Sequence, residues 1–299
     1  MKHPIVRAIL ILVGVVAFVL AVVFALRGAD FSALAEASPW QLMGLAAGVI
    51  VNLLLTSVLF WLVTRQFDAR PPVSLGRMIQ LILSSSVLNY LPLRAGLFSR
   101  AAYLKAKHQL PLKQSGVILL IILALGALVL GSVGVAVIVG GQANPIWVIL
   151  LTSFLLLFIG PALGAIIAKK THLPMTRGSV FQWVLIRLLD MFVVGGRTWC
   201  AFAIAGYDIT FAQATAMGAA GMLVSLLGLT PNGLGMREWA LAGMTLLVSS
   251  HDASAGMTAA LVDRAMEVVV VCVLGLPATV QLMRLSPRPP QVSRWDDSD

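Results

Sequence analysis

Long apolar runs, broken at two places by the same arrangement of Ser, Pro, Gly and Arg, dominate the chain. Runs of membrane length cover roughly 5–26, 41–64, 114–140, 146–168, 179–205 and 255–283, each near the ~20 residues a spanning helix needs. Two further apolar stretches, about 73–91 and 211–229, stop at a break. In the first break Ser86 is followed by Pro92, Gly96 and Arg100; in the second Ser225 is followed by Pro231, Gly235 and Arg237. The Ser-to-Pro and Pro-to-Gly spacings are the same in both. Interrupted apolar segments at matching places in two halves point to the binding site of a repeat-built transporter.

No run alternates with the period of a barrel strand, and lipid leaves no partner for open backbone groups, so the expected architecture is all-α. The first run follows Lys2 and Arg7, and Ala35 and Ala37 resemble a cleavage site. Its apolar core of about 19 residues exceeds the roughly 7–15 of a signal peptide, so an uncleaved anchor is expected.

Charge orients the spans. Cations concentrate before the first run (Lys2, Arg7), between 65 and 113 (Arg65, Arg70, Arg77, Arg94, Arg100, Lys105, Lys107, Lys113), at 169–177 (Lys169, Lys170, Arg177) and after 283 (Arg284, Arg288, Arg294). The opposite loops hold Arg27 beside Asp30, Glu36, Asp208 and Asp252. The positive-inside rule then places both termini in the cytoplasm. Under that orientation 73–113 enters from the cytoplasm and returns, and 211–250 enters from outside and returns. The expectation is a polytopic protein of about six transmembrane helices and two oppositely oriented re-entrant hairpins, with Pro92 and Pro231 at the tips. Residues 1–140 form a first inverted repeat and 141–285 a second, followed by a disordered cytoplasmic tail at 286–299. The competing reading is that 73–91 or 211–229 spans fully and the tips are ordinary kinks.

Composition agrees: the chain is 59% hydrophobic and 11% charged, where soluble domains carry roughly 25% charged residues. The 299 residues are nearly consumed by apolar segments, leaving no room for a soluble catalytic domain. Cys200 and Cys272 lie inside spans without metal-ligand spacing and are expected to pack in the core. No phosphate-binding loop, dinucleotide turn or zinc motif is present, so neither cofactor nor metal nor nucleic acid is implied. Ser249, His251 and Asp252 are too close in sequence to form a catalytic relay. Gly44 and Gly48 have the spacing of a helix-packing face.

The polar groups inside the spans are the candidate chemistry. Each Lys, Arg or Asp at mid-membrane costs roughly 2.5–3.5 kcal/mol. The 179–205 helix carries Arg187, Asp190 and Arg197 within a sector of about 80° at 100° per residue. The last helix carries Asp263, Arg264 and Glu267 at (i, i+3) and (i, i+4) spacings. Arg237 and Glu238 follow the second break. Two readings stay open: an ion-pair network that fixes helix packing, and a polar cavity that binds a charged substrate or relays protons. A helix restarting at Gly235 offers unpaired N–H groups, and Arg237 beside it makes an anion cradle with Ser225 and Asn232 at hand. Arg94 and Arg100 flank Gly96 in the same way, with Ser84, Ser85, Ser86 and Asn89 upstream. Lys105, Lys107 and Lys113 are expected to form a basic loop facing anionic lipid.

The stretch Pro231, Asn232, Gly233, Leu234, Gly235, Met236, Arg237, Glu238 resembles the Pro-Gly-Gly-Leu-Gly-x-Arg-Glu signature of the lysylphosphatidylglycerol synthase transmembrane-domain family. Asn89, Pro92, Gly96 and Arg100, and the late Asp263 and Arg264, are similar to its other recurrent stretches, so the resemblance covers roughly 75–285. Asn232 departs from the pattern, which has Gly there. The resemblance implies a bacterial inner-membrane lipid transporter or flippase working through paired hairpins, with no enzymatic activity of its own. In a polar groove between the hairpins, Arg237, Arg100 and the restarted helix ends would neutralise an anionic headgroup. Asp190, Glu238, Asp263 and Glu267 would hold those cations when the site is empty, or carry protons. Partners of such a chain would be membrane lipid, a second copy, or a lipid-synthesising enzyme. The alternatives are a membrane-embedded enzyme acting on a lipid headgroup and an accessory subunit.

Overall fold

The computed structural model describes residues 37–90, 95–140, 146–171, 173–227 and 230–284. The first apolar run, Pro92, Arg94 and the 286–299 tail lie outside the described residues. Within them the secondary structure is helical, with nine α-helices: α1 (Pro39–Thr64), α2 (Leu75–Leu88), α3 (Ala95–His108), α4 (Leu112–Gly140), α5 (Ile146–Thr171), α6 (Arg177–Ile204), α7 (Phe211–Leu227), α8 (Met236–Val248) and α9 (Ala253–Arg284). Local chemistry sets several boundaries. Ser38 and Gln41 form a capping box that starts α1 behind Pro39, and Thr176 and Ser179 do the same for α6. The Ser74 hydroxyl accepts from Arg77 N–H and starts α2.

Five of the helices, α1, α4, α5, α6 and α9, are long and apolar enough to cross a membrane. Their positions match the expected runs. The other four are short. α2 and α3 have 14 residues each, about 21 Å of helix, and α8 has 13. α7, with 17 residues, reaches about 26 Å. None matches the roughly 30 Å of a hydrocarbon core. Lys105 and Lys107 occupy the last turn of α3, and Lys113 is the second residue of α4, so these cations sit on helix ends rather than in the expected loop. At the end of α3 they face the unpaired carbonyls, where positive charge is favoured.

The pattern of helix neighbours is regular. α1 packs on α6 at the centre. α1 touches α2 as α6 touches α7, and α2 touches α3 as α7 touches α8. α3 meets α4 as α8 meets α9, while α2 packs on α9 and α7 on α4. Exchanging α1 with α6, α2 with α7, α3 with α8 and α4 with α9 maps these contacts onto one another.

The α1–α6 crossing is close because its residues are small. A Cβ at Gly44 would lie 3.7 Å from Cys200 Sγ, and one at Gly48 only 2.7 Å from Arg197 Cγ. Cys200 donates to Gln41 O at 3.3 Å, a packed thiol as expected, and Cys272 is also free. Arg197 is pinned at its far end by carboxylates, so it has no room to retreat from a new side chain. Gly48→Val is expected to destabilise the protein by about 1–3 kcal/mol, measured as a lower unfolding midpoint in detergent. An unchanged midpoint would mean the crossing is not tight. On the outside, α5 turns Trp147, Leu150, Phe154 and Phe158 outward, each at least half exposed. A continuous apolar surface of this kind suits lipid.

Candidate functional site

The second break is built by residues that tolerate unusual backbone angles. Pro231 cannot continue α7, and the chain turns through Asn232 (φ 48°), Gly233 (φ 71°) and Gly235 (φ 78°) before α8 begins. Asn is among the few side chains that enter this left-handed region readily. Its presence where the resembling family has Gly therefore leaves the turn intact. A Cβ on Gly233 would lie 2.7 Å from Ser225 Oγ, so the turn rests directly on α7. Asn232→Val is expected to destabilise by about 1–2 kcal/mol from the backbone alone, whereas Asn232→Gly should change stability by less than about 1 kcal/mol. Equal unfolding midpoints for the two variants would remove the left-handed turn as the reason for the residue.

The turn brings α8 against α9 and α7, and the charged residues of α8, α9 and α6 interlock. Arg197 donates from Nε and Nη2 to the two carboxylate oxygens of Asp263, both at 3.0 Å, and from Nη2 to Glu267 at 3.0 Å. Arg237 donates to Glu267 at 2.8 Å and also to Asp263. Arg264 donates to Glu238 at 3.1 Å and to the Asn232 carbonyl at 3.1 Å, with Glu267 at 3.7 Å. Arg187 binds Asp190 at 2.6 Å. Arg187, Asp190, Arg197, Arg237, Glu238, Asp263 and Arg264 are all buried. Each ion pair among the described residues joins positions between 187 and 267.

Residues from the first half reach this network through neutral groups. The Asn52 amide of α1 donates to Asp190 and accepts from Arg197 at 3.1 Å, linking the two clusters. Tyr90 donates to Glu267 Oε1 at 3.2 Å, and Asn232 donates to the same oxygen at 3.3 Å. Sequence reasoning missed Asn52, although a lone amide in the apolar 41–64 run was a visible signal. It also passed over Tyr90, which stands inside the first break.

Arg100 stands apart. It is 7% exposed, its Nη2 donates to Ser85 Oγ at 2.8 Å, and its guanidinium lies 4.1 Å from the Phe60 ring centre. Among the described residues no carboxylate pairs with it, and its Nε has no partner. Gly96 permits this placement, since a Cβ there would collide with the Ser85 carbonyl and the Asn89 side chain. Ser86 and Ser225 donate back to Ile82 O and Gly221 O of their own helices, so their hydroxyls serve first to satisfy local carbonyls.

The two breaks share open space. A cavity of about 200 Å³ is lined by Asn89 and Arg100 from the first and by Ser225 and Asn232 from the second, with Arg187 on its wall. The guanidinium of Arg187 lies against Gly126 of α4, where a Cβ would come within 3.0 Å of Nη2. A smaller cavity of about 60 Å³, large enough for water, lies among Asn52, Ser86, Asn89, Tyr90, Asn232 and Glu267. Asn89 and Asn232 border both. Of the residues expected at the site, Ser86, Asn89, Arg100, Ser225 and Asn232 therefore line these spaces. Arg237 and Glu238 lie in the ion-pair network and line neither of these spaces.

Membrane-length helices, an apolar exterior and a charged interior define a multi-pass integral membrane protein. The chain belongs to the family described as the lysylphosphatidylglycerol synthase TM region, whose model matches residues 11–275. That match extends the resemblance back into the first apolar run. No curated protein and no solved structure matches the chain.

Proposed function

We propose that this protein is a lipid transporter of the flippase type, carrying an anionic headgroup between leaflets through the space shared by the two breaks. In this reading α2–α3 and α7–α8 are re-entrant hairpins entering from opposite sides, and the two halves are an inverted repeat. The exchangeable pattern of helix neighbours supports the repeat. The insufficient length of the four short helices supports the hairpins. The observation that carries the function is a cavity lined from both breaks and holding a buried guanidinium that no carboxylate among the described residues pairs with. Such a group, at membrane depth, favours an anion.

The mechanism follows from where the strong and weak contacts lie. Among the described residues the ion pairs stay within the second half and hold α6, α8 and α9 as one body. Between the halves the hydrogen bonds, among them those of Asn52 and Tyr90, use a neutral group on the first half and exchange with water or a headgroup at less cost than an ion pair. Rocking of one half on the other along α1–α6 would then open the Asn89–Asn232 boundary toward either side. The headgroup crosses beside Arg100 while the acyl chains stay in lipid.

Reconstitution into phosphatidylglycerol-containing vesicles tests this. Headgroup-labelled lipid should move between leaflets at a rate that rises with protein content, and mass spectrometry should find it chemically unchanged. Altered lipid mass would convert the site into that of an enzyme, and protein-independent movement would remove the transport role.

A further inference from the structure

Resting on the transport reading, the open space around Arg100 carries a more specific assignment. A third cavity, of about 320 Å³, lies between α3 and α4, in the size range of small-molecule sites. Phe60, Leu97, Arg100 and Leu119 line both this groove and the polar cavity, so Arg100 stands where the two meet. Away from Arg100 the groove wall is Phe98, Leu104, Leu112, Ile118 and their apolar neighbours, interrupted by Ser115. Phe98 is 70% exposed, and a Cβ on Gly116 would meet nothing within 4 Å, so the groove is unfilled at its outer edge. This edge adjoins the helix ends that carry Lys105, Lys107 and Lys113, a charge arrangement that attracts anionic lipid.

On the polar side two buried donors are left unsatisfied. Arg100 Nε and Arg187 Nε are both without hydrogen-bond partners, and both residues are more than nine-tenths buried and line the same cavity. The interior charges also leave a remainder. Among the described residues the interior holds the guanidiniums of Arg100, Arg187, Arg197, Arg237 and Arg264 and the carboxylates of Asp190, Glu238, Asp263 and Glu267, which is five cations against four anions. One negative charge closes the balance. A headgroup with an added ammonium would find each of these four carboxylates already paired with an arginine.

We infer that these two cavities are one lipid site, selective for a phosphodiester lipid of net charge −1, with the phosphate at Arg100 and Arg187 and one acyl chain along the α3–α4 groove. Zwitterionic and cationic lipids bind it poorly, and the lipid enters laterally between α3 and α4 at the lysine-rich end.

Calorimetric titration of the purified protein in detergent tests the assignment with four probes. These are dihexanoyl phosphatidylglycerol, its chainless headgroup glycerophosphoglycerol, dihexanoyl phosphatidylcholine and inorganic phosphate. The phosphatidylglycerol probe should bind one per protein and at least about tenfold more tightly than the phosphatidylcholine probe. Arg100→Gln should weaken it by about tenfold or more, as expected on losing a charge-assisted contact. Gly116→Trp fills the groove and raises local helix propensity, so it should fold. It should weaken the chain-bearing probe about tenfold and leave glycerophosphoglycerol unaffected. Phosphatidylglycerol binding that ignores both substitutions overturns the site, as does equal affinity for phosphatidylcholine. Inorganic phosphate binding as tightly as the lipid would make it a free-anion site. Equilibrium binding requires no movement. Binding as expected by a protein that moves no lipid would sink the transport reading and spare the site.

Discussion

Asp263→Asn is expected to be the most damaging single substitution, lowering stability by about 3–5 kcal/mol. The carboxylate accepts from both Arg197 and Arg237, and its side chain is 2% exposed. Asn keeps the shape and one acceptor but removes the charge. Two buried guanidiniums would then share Glu267, which already faces Arg264. The loss exceeds what the pair contributes over an apolar replacement, because an uncompensated buried cation costs more than a paired one gains. The measurement is the unfolding midpoint in detergent, followed by tryptophan fluorescence. Combining Asp263→Asn with Arg197→Gln should be less damaging than the sum of the two, with a coupling between about 0.5 and 3 kcal/mol. Additive effects, or a loss no larger than that of Lys105→Ala at the surface, would show that these groups do not act together.

Arg100→Gln should behave in the opposite way: transport falls by at least tenfold while stability holds or rises. The guanidinium is buried and no carboxylate among the described residues pairs with it, so removing its charge relieves a desolvation cost. Gln retains an amide to meet Ser85, and the stacking on Phe60 is a modest loss. What disappears is the charge that balances the headgroup, worth roughly tenfold or more for one charge-assisted contact. Initial rates of leaflet exchange in vesicles and the unfolding midpoint should be read on the same preparation. Arg100→Lys, which keeps the charge, should retain part of the rate. Wild-type transport by Arg100→Gln would exclude the residue from the path of the headgroup.

Arg100 and Arg237 show why the site was only partly readable along the chain. Both stand as cations near a break, with nothing local to separate them. Arg237 proves to be held by two carboxylates 26 and 30 positions away, while among the described residues Arg100 has none. The stripe of Arg187, Asp190 and Arg197 was legible because helical periodicity alone places the three on one side. That Arg197 turns to Asp263, 66 positions on, was not.

From its order of residues alone the chain settles which segments are long enough to cross a bilayer and where helices must stop. Both depend on interactions within a few residues: apolar length, the missing N–H of Pro231, and the left-handed angles that Asn232, Gly233 and Gly235 accept. Only the packed structure decides which charges are neutralised, which is left over, and that Asn52 joins Asp190 across 138 positions. Those outcomes depend on the approach of helices remote in sequence, set by small residues such as Gly48 and Gly126 that make room for an arginine. An identical set of charges on helices crossing one turn higher would pair differently and leave a different cation without a partner.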